Sequence, residues 1–170
     1  IYCRFLCTSI TTWPFKSGSN ASAQEAAVYA SIAAYLGDEE RLDYVWNRFR
    51  LYSCDKENNP ETEINLHTDT GWSHNPNDAC AVNPIGTTKE GIKIDGAIIN
   101  DIQRGDDFTW PPVYTPYPWV GIEGYMPTAL ILYNQGYPAF TISDKAVLRT
   151  FEFLLYLSLI HIWRCRRWTL

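Results

Sequence analysis

The chain is poor in methionine, in basic residues and in long apolar runs. Its single methionine is internal, Met126, and the first residue is Ile1, so the start reads as truncated or processed and the lack of a visible signal peptide carries little weight. No apolar stretch reaches the ~20 residues of a membrane-spanning helix, so no membrane partner is expected. Lys and Arg number 14 against 19 Asp and Glu, a net charge of −5, which argues against a nucleic-acid partner. A polyanionic ligand would need local basic groups, for which Lys16, Lys89, Lys93 and Arg104 are available. Five cysteines (Cys3, Cys7, Cys54, Cys80, Cys165) are present without a CxxC pair. Cys54 and Cys80 can form a disulfide if the protein is exported; otherwise they are partly buried thiols.

What is present describes a folded domain. At 170 residues the chain can bury a sizeable core, and 46% apolar with 19% charged residues is ordinary for a globular protein. Aromatic residues reach 15%, a bias produced by aromatic-lined sites and by large cores alike.

Two helical hairpins stand out. "SAQEAAVYASIAAYLG" opens with a Ser22/Glu25 capping box and stops at Gly37. Ala26, Tyr29, Ala30, Ala33 and Leu36 form one stripe and Val28, Ile32 and Tyr35 another, which predicts a helix buried on most sides. Asp38 then caps a second helix. Its Leu42, Val45, Trp46 and Phe49 point inward and its Arg41, Asp43, Asn47, Arg48 and Arg50 outward. Later, "PWVGIEGYMPTALILYNQGY" carries Trp119, Ile122, Met126, Ala129, Leu130 and Tyr133 at helical spacing, with Pro127 expected to kink it or mark its start. Ser143 and Asp144 cap "DKAVLRTFEFLLYL". Here Val147, Leu148, Phe151, Leu154 and Leu155 are expected inside, and Lys145, Arg149 and Glu152 outside. Residues 53 to 90 are rich in Asn, Asp, Thr, Pro and Gly and read as a long polar loop with at most a short strand near Glu63–Leu66. "DGAIINDIQRG" reads as a short helix or a strand. The repeated order of inner helix, Gly turn and outer helix predicts an all-α chain, an incomplete (α/α) toroid of αα-hairpins with a long polar loop insertion.

"LSLIHIWRCRRWTL", residues 157–170, breaks the composition and resembles translated sequencing-adapter read-through. It is set aside, leaving residues 1–156 as the domain of interest.

"SNASAQEAAVYASIAAYLGDEERLDYVWNRFR" and "DGAIINDIQRGDDFTWPPVYTPYPWVGIEGYMPTALILYNQGY", with the following "ISDKAVLRTFEFL", resemble the alginate-lyase-like domain of bacterial polysaccharide lyases. The likeness covers roughly residues 17 to 156 and rests on whole segments. It implies an (α/α) toroid, secreted or periplasmic, cleaving a uronate-containing polysaccharide by β-elimination without metal or cofactor. Several such lyases have a His directly after the Asn; here Ala21 follows Asn20, which leaves the base open.

β-Elimination requires a group that neutralises the uronate carboxylate, a base near C5 and an acid near O4. Asn20, just before the first helix, is expected to bind the carboxylate, against the plainer reading of a turn or cap. His74, flanked by Trp72 and Asn75, is favoured over His67 as base. Arg104 suits a two-bonded grip on a carboxylate, or an ion pair with the neighbouring acids Asp101, Asp106 and Asp107. Tyr117, held between Pro116 and Pro118, is the expected acid or acid/base, with Tyr114 and Tyr125 as rivals. Trp110 and Trp119 can stack on sugar rings or fill the core. Glu123 and Lys16 complete the expected substrate contacts. Glu123 with Asp106 would be a glycosidase pair, and the other alternative is a non-catalytic glycan-binding protein. His67, Asp69, His74, Asp78 and Cys80 can be read as metal ligands, but their spacing matches no standard signature and no metal is expected.

Overall fold

The computed structural model describes residues 14–66, 71–78, 80–104, 107–113 and 116–167, the last seven as backbone only. The described residues are mostly helical: α1 (Asn20–Leu36), α2 (Glu39–Tyr52), α3 (Ile99–Gln103), α4 (Pro116–Asn134) and α5 (Ile142–Arg167). The only sheet among them is an antiparallel pair of two-residue strands, β1 (Thr88–Lys89) and β2 (Ile92–Lys93).

Both hairpins form. Gly37 ends α1 in the left-handed conformation and Asp38 caps α2 by accepting the backbone N–H of Arg41. The cap of α1 differs from expectation. Ser19, not Ser22, accepts the N–H of Ser22, so Asn20 is the first residue of the helix and Ser22 is buried within it. α4 runs through Pro127 to Asn134. Ser143, Asp144 and Lys145 are not a helical cap; all three are left-handed.

Among the helices, α1 and α4 share the most extensive contact. Small residues permit it. Ala23, Ala26, Ala30 and Ala33 are fully buried along one side of α1. A Cβ at Gly124 of α4 would fall 2.3 Å from the carbonyl carbon of Ala23. Beside this seam lies an aromatic nucleus. Phe15 sits 4.6 Å from Tyr52, and Phe49 5.0 Å from Tyr125, ring centre to ring centre. The aromatic excess of the composition is thus spent partly on core packing.

The buried faces are narrower than the periodicity predicts. Val28 and Tyr35 of α1 are exposed, as are Met126, Leu130 and Tyr133 of α4 and Leu148 and Leu155 of α5. The buried side of α4 is instead Pro118, Gly121, Ile122, Tyr125, Thr128, Ala129 and Leu132. That of α5 is Ala146, Val147, Thr150, Phe153, Leu154 and Leu157. α5 continues through residues 157–167.

Two arginines expected on outer faces are buried. Arg48 donates to the carbonyls of Pro14, Phe15 and Glu63 and pairs with Glu61 at 3.2 Å. Arg149 donates to the carbonyls of Asn83, Ser143 and Asp144. A guanidinium has five N–H groups, so it tolerates burial where carbonyls converge.

The described part of the polar insertion is anchored, not loose. Cys54 and Cys80 form a disulfide with a Cα–Cα distance of 5.2 Å. Asn83, fully buried, donates to the carbonyls of Trp72 and Ile94 and accepts the backbone N–H of His74. The strand expected near Glu63–Leu66 is reduced to one parallel bridge, Ser17 with Asn65.

Candidate functional site

The segment after α3 and the start of α4 bring several expected residues together. Arg104 ends α3 with a left-handed backbone (φ 51°), its N–H donating to the Asn100 carbonyl. That conformation turns the side chain toward α4, where its guanidinium carbon lies 3.8 Å from the centre of the Tyr117 ring. Both side chains are exposed. Behind them is Asp101, completely buried, whose Oδ1 accepts the backbone N–H of Asn20 at 3.0 Å. Asn20 thus reaches the group through its main chain; its own Oδ1 accepts the N–H of Ala21. Asp101 Oδ2 is buried with no hydrogen-bond partner among the described residues. Gly121 leaves room for it, since a Cβ there would lie 2.6 Å from that oxygen.

The electrostatics follow from burial. Loss of water pushes the Asp101 carboxyl up to about 7, despite the opposing Asn20 N–H bond and the charge of Arg104. The Tyr52 hydroxyl, also buried without a partner among the described residues, is raised well above its usual value by burial and then by the charge of Asp101. The sequence presents Asp101 only as an ion-pair partner for Arg104. The overlooked signal is an acid inside the apolar "GAIINDI" run, where a carboxylate must be paired or protonated.

His74 belongs to a different neighbourhood. Its imidazole lies with the sulfurs of Cys54 and Cys80, and feels Asp78 and Lys56. Burial lowers its pKa, opposed by Asp78 and aided by Lys56. Lys16 borders a cavity of about 320 Å³ lined also by Arg48, Glu61, Glu63 and Asn65, away from Arg104 and Tyr117. Trp110 is half-buried; it packs near Trp72 and stacks on Tyr156 at 5.9 Å. Trp119 is half-buried against the core, and Glu123 is exposed on α4. Tyr125 is fully buried and its hydroxyl pairs with Ser53 Oγ at 2.6 Å, so it is a core residue rather than a rival to Tyr117. His67, Asp69, Asp106 and Tyr114 lie outside the described residues.

Comparison with protein-family models, curated proteins and solved structures finds no match for this chain. Among the described residues no helix is long and apolar enough to cross a membrane.

Proposed function

We propose that the protein is a polysaccharide lyase acting on a uronate-containing, alginate-like glycan, with its two hairpins forming part of an (α/α) toroid. The observation that carries this reading is the exposed Arg104–Tyr117 pair set against the Asn20–Asp101 contact. The pairing of α1 with α4, each followed by a glycine turn and a second helix, supports the toroid. The Cys54–Cys80 disulfide supports a secreted or periplasmic location.

In this reading Arg104 binds the uronate carboxylate and stabilises the enolate-like charge that builds on it. Tyr117, acting as a phenolate, takes the proton from C5 and becomes a phenol. The C5–H electrons form the C4–C5 double bond, the C4–O4 bond breaks with its pair going to O4, and the Tyr117 proton follows to the leaving oxygen. Asp101, protonated below about 7, there holds the start of α1 without placing a second negative charge beside the substrate. Trp110, Trp119, Glu123 and Lys16 remain candidate contacts for flanking sugar units. His74 is not part of this group, so the reading assigns it no proton transfer.

The test is incubation with alginate, hyaluronan and pectin while following ultraviolet absorbance of the new double bond. Rising absorbance supports the lyase. New reducing ends without absorbance would replace it with a glycoside hydrolase, and binding with neither signal with a non-catalytic glycan-binding protein.

A further inference from the structure

The disulfide has a third neighbour. The sulfurs of Cys54 and Cys80 and an imidazole nitrogen of His74 all lie within 4.8 Å of one another. The backbone around them is fixed by bonds other than S–S. Cys54 follows α2, its N–H donating to the Leu51 carbonyl. Val82, two residues after Cys80, donates to the Tyr52 carbonyl at 3.1 Å. The His74 N–H is held by Asn83 Oδ1 at 3.1 Å, and the Asn83 carbonyl is in turn held by Arg149. The His74 Nδ1 is buried and has no hydrogen-bond partner among the described residues. An imidazole with one buried, unpartnered nitrogen, set beside two sulfurs on a braced backbone, is an arrangement that lacks only thiolates to be a ligand set.

We propose that reduction of the Cys54–Cys80 bond converts this cluster into a zinc site, with Cys54, His74 and Cys80 as ligands and a fourth position open to water. Thiolate and imidazole are the donors zinc favours, whereas magnesium and calcium favour oxygen. Zn–S and Zn–N bonds of about 2.3 and 2.0 Å place ligand atoms roughly 3.5–4 Å apart, so the three need only a small rearrangement. The chemistry balances. A dithiol reductant gives two electrons and two protons to the S–S bond and becomes a disulfide itself, leaving two thiols. Zn²⁺ then displaces the two thiol protons to solvent and binds two thiolates and one neutral imidazole. The disulfide and the metal site are mutually exclusive states of the same three residues, and the inference is independent of the proposed lyase activity.

The test uses the full chain with Cys3, Cys7 and Cys165 changed to Ser, so that they cannot compete. It is reduced with a phosphine, freed of reductant, and dialysed against Zn²⁺ without oxygen. The expected result is one zinc per chain when reduced and none when oxidised, with thiolate-to-metal charge-transfer bands when Co²⁺ replaces Zn²⁺. His74→Ala should weaken binding by ~10- to 100-fold. In the chain with His74 intact, zinc should slow alkylation of Cys54 and Cys80, read by peptide mass spectrometry. No zinc uptake on reduction, unchanged affinity in His74→Ala, or equal alkylation with and without zinc would each overturn the proposal.

Discussion

The main-chain N–H of Asn20 donates to a carboxyl oxygen of Asp101, 81 residues further along the chain, and the other oxygen of that carboxyl is buried without a partner among the described residues. One bond therefore ties the first turn of α1 to α3, and it does so through a group that burial keeps protonated up to about 7.

The stability of the fold should record this. The folded-state pKa of Asp101 is raised, so the folded protein holds the proton more tightly than the unfolded chain does. The contribution is fully present below the unfolded carboxyl value near 4, and is lost as pH rises through about 7. Chemical denaturation across that window should show a loss on the order of 3 kcal/mol. Asp101→Asn keeps the acceptor for Asn20 and should flatten that slope. An unchanged slope would remove Asp101 as its source.

The same titration bears on substrate. Above about 7 an ionised Asp101 competes with the uronate carboxylate for Arg104. KM for an acidic glycan should therefore rise with pH across 7, and this rise should vanish in Asp101→Asn.

Tyr117→Phe preserves the ring beneath Arg104 and removes only the hydroxyl. Turnover should fall by ~10²- to 10⁴-fold with KM nearly unchanged. Arg104→Ala should raise KM as well as lower turnover. Progress curves on the cleaved glycan separate the two patterns.

At the α1–α4 seam, Gly124→Ala pushes a methyl group into the Ala23 main chain. Neither helix can yield locally, so the loss should reach about 3 kcal/mol, seen as a lowered Tm. Gly37→Ala makes a useful contrast. It meets nothing within 4 Å and has only its positive φ to oppose it, so about 1 kcal/mol is expected.

Arg48→Met should cost about 3 kcal/mol, because the carbonyls of Pro14, Phe15 and Glu63 lose their shared donor. Glu61→Gln, at the more exposed end of the same interaction, should cost under ~1 kcal/mol by urea titration.

Much of the helical architecture was legible in the chain because its punctuation is local. Gly37, Asp38 and Gly136 end or begin elements by their own backbone and side-chain chemistry. The helix faces were not. α1 and α4 are apolar nearly all round, so periodicity offers several equivalent stripes, and the close approach at Gly121 and Gly124 selects among them. Polarity also misplaces Arg48 and Arg149, since it records charge and not the carbonyls that a fold can gather around it. Of the residues expected at the site, Asn20 bonds to Asp101, Arg104 lies within reach of the Asp101 charge and over the Tyr117 ring, and His74 and Lys16 have other neighbours. A loop residue's neighbours are set by tertiary anchors such as Asn83, which nothing in a linear reading of "AVNPIG" reveals.

Arg149 grips the carbonyl of Asn83 with one arm and the left-handed turn at Ser143 and Asp144 with the others. A protein engineer who shortened the Asn- and Pro-rich insertion to obtain a leaner helical scaffold would therefore strand a cation in the interior and unclasp the start of α5 in the same cut. The insertion is a keystone of the helical body.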